Sequence, residues 1–253
     1  MSEINVLDHG SVKLVDFMGS DYSILRSARV STGSSPSKGD EKDRQLIRYL
    51  FINQHSTPFE FAQFHFYVKC PIFVARQWFR TRTASYNEAS ARYKEFEPEA
   101  YVPESWRIQD TKNKQSSKNM DDVALEAKAD DLIDNSFDIA YGAYNEMLED
   151  GIAKEQARIV MPVAQYTEFY FSINLRNLLH FLELRLSPHA QYEIRVYAEA
   201  ILQLLKDTNK FNWTVEVFEE YYLLMEELKK NMNSVYKTKA GLHDLEIKIR
   251  EDY

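Results

Sequence analysis

Phe64-His65-Phe66-Tyr67-Val68-Lys69-Cys70-Pro71-Ile72-Phe73-Val74-Ala75-Arg76-Gln77-Trp78-Phe79 holds the transition that decides the fold class. Its first half is aromatic and β-branched, which predicts a strand over 64–70. Pro71 suits the first position of a helix, because its missing N–H is one that a helix start leaves unpaired, and the helix is expected to reach about Phe79. Upstream, a strand is predicted over 12–17 and a helix over 21–30 with Asp21 as its cap. A polar loop follows over 31–40. Leu46, Ile47, Leu50 and Phe51 then share one face of a helix over 42–52. Downstream, residues 123–150 carry apolar side chains at helical spacing and predict a long amphipathic helix ending near Gly151, with a second helix over 154–160. A further aromatic run over 166–173 predicts a strand. Asn174 is placed to cap a helix over 175–184, Ser187-Pro188 reads as the start of another running to about 207, and a last amphipathic helix is expected over 213–230. Residues 109–122, rich in Lys, Asn, Gln, Ser and Asp, read as a mobile loop, and 231–253 as a tail with no assigned element. These elements make an α+β single domain of mixed helices and an antiparallel-type sheet.

Composition narrows the function. The 253 residues include 31 Lys plus Arg against 39 Asp plus Glu, a net charge of −8 that argues against coating nucleic acid or an acidic membrane. Cys70 is the single cysteine, so an intrachain disulfide and a Cys-only metal site are both excluded. A reducing, cytoplasmic setting is expected, since the first 14 residues lack a signal-peptide apolar run and no stretch reaches spanning length. The six histidines, at 9, 55, 65, 180, 189 and 243, lack zinc-site spacing, and no metal is expected. Gly-x-Gly-x-x-Gly, the phosphate-binding Gly-x4-Gly-Lys-Ser/Thr, His-Glu-x-x-His and Gly-x-Ser-x-Gly are all missing, so any nucleotide is bound another way.

The densest chemistry lies in Gln77-Trp-Phe-Arg80-Thr81-Arg82-Thr-Ala-Ser-Tyr-Asn-Glu88-Ala-Ser90-Ala-Arg92. Three arginines, amides, a carboxylate and hydroxyls beyond a helix end are suited to phosphate and to a flat heterocycle. Composition alone leaves a solvated, salt-bridged loop equally open. Arg158, Arg176 and Arg185 add cations elsewhere. Arg176 falls in the first turn of its helix, where free N–H groups and the helix dipole favour an anion. Arg185 falls at the other end, where a cation is simply dipole-compatible, and spacing alone reads His180 as a satisfied core histidine.

The same segment resembles the signature of the flavin-dependent thymidylate synthases, Arg-His-Arg followed after seven residues by Ser. His55-Ser-Thr-Pro-Phe-Glu60, Pro71-Ile-Phe-Val-Ala-Arg-Gln77, Ala157-Arg-Ile-Val-Met-Pro162, Asn174-Leu-Arg176 and Ser187-Pro-His-Ala-Gln191 resemble blocks of that family in the same order, across about 27–205. The resemblance implies FAD as cofactor, NADPH and methylenetetrahydrofolate as co-substrates, and dUMP converted to dTMP by a homotetramer with sites at subunit interfaces. It implies no protein nucleophile, which fits a Cys70 read as buried and structural. By the same resemblance Arg185 is catalytic, favouring ionisation of the uracil imide. Gln77, Arg80, Glu88, Ser90, Arg92, Arg158 and Arg185 would bind dUMP. Thr57, Arg80, Thr81, Arg82, Glu88, Asn174, Arg176 and His180 would hold FAD, with His55 near the folate and flavin face. Thr81 departs from the family's His: a hydroxyl keeps one hydrogen bond but loses the ring's reach. Two competing readings are a flavin- and folate-dependent methyltransferase acting on uracil in RNA, and a non-catalytic flavin- or nucleotide-binding module.

Overall fold

A computed structural model describes residues 2–33, 37–95, 97–110 and 117–236, the side chains of 233–236 excepted. Its centre is a five-stranded antiparallel sheet in the order β1 (Glu3–Val6), β2 (Gly10–Met18), β3 (Gln63–Pro71), β7 (Tyr166–Asn174) and β4 (Ser85–Glu88). Alternation makes one face of it the core. Phe64, Phe66, Val68 and Cys70 of β3 are wholly buried, and they pair in register with Ile173, Phe171, Phe169 and Thr167 of β7. The opposite face shows Tyr67 and Tyr170, whose rings meet at 5.5 Å, with Tyr170 exposed. A bulge between Leu14 and Asp16 keeps both Leu14 and Phe17 on the core side of β2.

Helices cover the core face: α1 (Asp21–Val30), α2 (Asp40–Ile52), α3 (Ile72–Trp78), α6 (Leu175–Arg185), α7 (Tyr192–Asp207) and α8 (Asn212–Tyr236). Gly10 is required where α7 crosses the sheet. A Cβ there would collide with the Tyr197 hydroxyl, which donates to the Lys69 carbonyl at 2.7 Å. The long helix α4 (Val123–Glu149) ends at Gly151, whose φ of 82° few other residues adopt. Of its 27 residues Tyr144 is buried, Ile133, Phe137, Tyr141 and Leu148 are half-buried, and Val123, Leu125, Leu132 and Ile139 are exposed.

Several sequence expectations are corrected. Asp21 does not cap α1. Ser20 holds that position, while the Asp21 carboxylate accepts from Trp213 N at 2.8 Å and from Thr214 N and Oγ1 at 3.2 and 2.6 Å, capping α8 instead. Burial nevertheless pushes the Asp21 pKa up against these hydrogen bonds. Pro71 is the last residue of β3 and the N-cap of α3, extended at ψ 145°. The chain over 187–190 is a turn closed by Ala190 N to Ser187 O, and α7 begins only at Tyr192. The helix expected over 154–160 splits into α5 (Lys154–Ala157) and a 3-10 turn, Arg158–Val160. Within 109–122 the described residues form no simple loop: β6 (Ser117–Asn119) pairs with β5 (Arg107–Gln109), and Asp122 caps α4. Residues 111–116 and 237–253 lie outside the described residues, and 231–236 continue α8.

Candidate active site

The site is built outward from Trp78. Its indole is fully buried among Phe169, Phe171, Phe181 and Tyr197, with centroids 5.2–5.7 Å away, which pins the end of α3 to the sheet. The helix stops there, and Phe79 packs on Tyr86 and Phe169. The stretch read as polar loop contains β4, and Tyr86 is its inward residue. The Tyr86 hydroxyl donates to the carbonyls of Thr81 at 2.9 Å and Trp78 at 3.2 Å, clamping the segment that carries Arg80, Thr81 and Arg82. Burial raises its pKa to about 12, against the opposing pull of Thr81 and Arg185. Arg80 and Arg82 are exposed, and among the described residues neither pairs with a carboxylate.

Arg185, the last residue of α6, reaches back to this corner. It donates from Nη2 to the Gln77 carbonyl at 3.1 Å, while its buried Nε has no partner. Desolvation lowers its pKa and nearby Tyr86 partly restores it. No carboxylate pairs with Arg185 among the described residues. An uncompensated, half-buried guanidinium gains from any anion brought to it. Gln77 completes the corner, its amide donating to Gln191.

A second group runs from the end of β4 through the turn that follows, where Glu155 meets two of its arginines. Glu88, at the end of β4, accepts from Thr167 Oγ1 at 2.7 Å, and Ser90 opens the turn that follows, its Oγ accepting from Arg92 N at 3.3 Å. Arg92 lies 3.5 Å from the Glu155 carboxylate, and Arg158 Nε donates to the Glu155 carbonyl at 3.3 Å. The third group is at the start of α6. Asn174 caps it, accepting from Asn177 N at 2.9 Å as expected, and Arg176 stands 3.7 Å from Glu60 in the 3-10 turn Thr57–Phe61. His55 packs edge-on to Tyr49 at 5.5 Å. His180 is not a core histidine: its side chain is 66% exposed, 3.9 Å from Glu183.

Arg176 and Arg185 are nine positions apart in α6, roughly 14 Å along the helix. One chain therefore assembles the selected residues into separate patches rather than one pocket. The large cavity, about 910 Å3, is bordered by Tyr101, Trp106, Arg107, Gln191 and Glu193 and by none of them. Sequence reasoning missed three residues of the site: Tyr86, Glu155 and Gln191. Tyr86 had a signal, as the single aromatic between Ala84 and Glu88 in a strand-like alternation; Gln191 closes the block that starts at Ser187 but meets Gln77 114 residues away, and Glu155 meets Arg92 63 residues away.

Fold and site together define an α+β protein in which Arg80, Arg82 and Arg185, beside an antiparallel sheet, pair with no carboxylate among the described residues. The sequence profile of the family described as "Thymidylate synthase complementing protein" matches residues 13–208. The flavin-dependent thymidylate synthase of Thermosipho africanus is 48% identical over 219 residues, covering 87% of this chain and 95% of that protein. That of Thermus thermophilus is 49% identical over 220 residues, covering 87% and 79%. The crystal structure of the UMP/dUMP methylase PolB from Streptomyces cacaoi, bound with 5-Br dUMP, superposes with a TM-score of 0.77 at 33% identity, covering 86% of this chain and 97% of that one. The chain belongs to the thymidylate synthase complementing protein family, the family of the flavin-dependent thymidylate synthases.

Proposed function

We propose that the protein is a flavin-dependent thymidylate synthase that converts dUMP, methylenetetrahydrofolate and NADPH to dTMP, tetrahydrofolate and NADP. The relatives' shared name and the likeness to a dUMP methylase support the activity. The observation that carries it is Arg185. Among the described residues its guanidinium has no counter-ion and its Nε no partner, and it stands beside Gln77 and Tyr86 at the end of a helix. Such a fixed cation stabilises negative charge on a uracil imide, which raises electron density at the ring carbon to be methylated. No thiolate is required of the protein. Cys70 is buried, its thiol pKa pushed well up by desolvation, and it lies on the core face of the sheet.

The donor set fits FAD. Unpaired Arg80 and Arg82, with Arg176 at a helix start, suit a pyrophosphate, and Asn174, His180 and Thr57 add polar groups beside Arg176. Thr81 and Glu88 flank the same loop. FAD, when bound, supplies hydride taken from NADPH. In this reading Gln77, Arg80, Glu88, Ser90, Arg92 and Arg158 bind dUMP with Arg185, the arginines and Ser90 serving the phosphate, and His55 stands near the folate. The chain's residues bind and orient two flat rings and exclude water between them; placement and the Arg185 charge do the catalytic work.

A homotetramer with sites at subunit interfaces belongs to this reading, and the exposed Val123, Leu125, Leu132 and Ile139 of α4 support it as apolar surface that a second subunit can cover. A cytoplasmic setting belongs to the same reading. No described helix is long and apolar enough to cross a membrane.

The test supplies FAD, NADPH and methylenetetrahydrofolate with dUMP, UMP or uracil-containing RNA, and separates products by chromatography. dTMP from dUMP is expected. Methylation of UMP or RNA in its place would move the assignment to those acceptors, and flavin binding with no methylated product would indicate a binding module.

A further inference from the structure

Gln191 lies just ahead of α7, 114 residues from Gln77, and its Oε1 accepts from the Gln77 amide nitrogen. Gln77 is thereby held on both sides, since its own backbone carbonyl takes the Arg185 Nη2 hydrogen bond at 3.1 Å. An amide side chain left alone can turn over and exchange its donor and acceptor ends. With one N–H engaged by Gln191, the Gln77 amide has a set orientation, and its second N–H and its oxygen point in defined directions.

The start of α7 that follows Gln191 is held in place. Glu193, two residues on, is 3% exposed and forms an ion pair with Arg107, and its Oε1 accepts from the Tyr101 hydroxyl at 3.2 Å. Its other oxygen, Oε2, is buried with no partner in bonding geometry. Burial alone would raise the Glu193 pKa, but Arg107, the backbone and the Gln191 amide together hold it below the usual carboxylate range.

We propose that Gln191, placed at the start of α7, is a positioning residue that fixes the Gln77 amide for substrate binding. This rests on the reading of Gln77 as part of a dUMP site. Gln191 acts through Gln77 and touches no reacting atom.

The experiment is a double-mutant cycle on the full-length, FAD-loaded protein, using Gln191→Leu, Gln77→Leu and the pair, with dUMP affinity measured by titration calorimetry. Gln191 is solvent-exposed, so the fold should tolerate Leu there; melting temperature and FAD content verify this for each variant. Gln191→Leu is expected to weaken dUMP about three- to tenfold, the range of one hydrogen bond, and to raise KM for dUMP by a similar factor with kcat changed less. In the Gln77→Leu background the same substitution should have no effect. Unchanged affinity in Gln191→Leu would overturn the proposal, as would an equal loss in both backgrounds. A wild-type protein that does not bind dUMP would overturn the site reading itself, and that outcome is seen before any variant is made.

Discussion

The two ends of α6 present arginine in opposite settings. At the start, Arg176 is about half exposed, near the Glu60 carboxylate, beside an Asn174 cap and an open His180. At the finish, Arg185 is half-buried with Tyr86 as its neighbour, and among the described residues it bonds to a backbone carbonyl alone, with Nε unpartnered. Solvent screens the first arginine, so recognition there has to be shared among several donors. Little screens the second, so much of its effect is concentrated in one group. Binding that tolerates small losses belongs at the first end, and charge stabilisation during reaction at the second.

The sharpest break in this comparison is Arg185→Ala. It should lower dTMP formation by ~10²-fold or more, the cost of removing one preorganised electrostatic donor, while FAD remains bound. Ser90→Ala should weaken dUMP about tenfold, as expected for one hydrogen bond to a charged phosphate, with the flavin spectrum unchanged. Calorimetric titration with dUMP checks it. Arg176→Ala, at the screened end, should weaken FAD by about fivefold, equivalent to roughly 1 kcal/mol, and leave turnover at saturating FAD close to that of the parent. Thr81→His should be the smallest change, tightening FAD by about twofold through one longer-reaching hydrogen bond, read from fluorescence quenching during FAD titration.

Much of the scaffold was legible because its signals are local. Phe64 to Cys70 and Tyr166 to Ile173 alternate strongly enough to name two central strands, and Asn174 caps α6 as its type and position suggest. What escaped depends on contacts far away in the chain. Asp21 looks like a local cap, yet it serves Thr214, 193 residues later. The edge strand β4 offers one aromatic and three polar residues, too little to announce a strand until β7 provides its partner. Ser187-Pro188 has the chemistry of a helix start, but the chain makes a turn first, and that turn delivers Gln191 to Gln77.

The candidate site shows the same division. The residue types between Gln77 and Arg92 announce binding chemistry, whereas their grouping does not follow from order along the chain. Arg158 joins Arg92 only through Glu155, and Arg185 joins Gln77 across 108 residues. His180 shows the limit of spacing arguments: a histidine between buried Leu179 and Phe181 still faces solvent.

The most direct test is an anaerobic single turnover of the wild-type protein and Arg185→Ala side by side. Each is loaded with FAD, reduced with NADPH and mixed with dUMP and methylenetetrahydrofolate, with flavin reoxidation followed at its visible band and dTMP quantified by chromatography. Reoxidation coupled to dTMP is expected in the wild type, and in the variant a flavin that binds and is reduced but reoxidises ~10²-fold more slowly or not at all. Reoxidation of the variant with dTMP at the wild-type rate would contradict it.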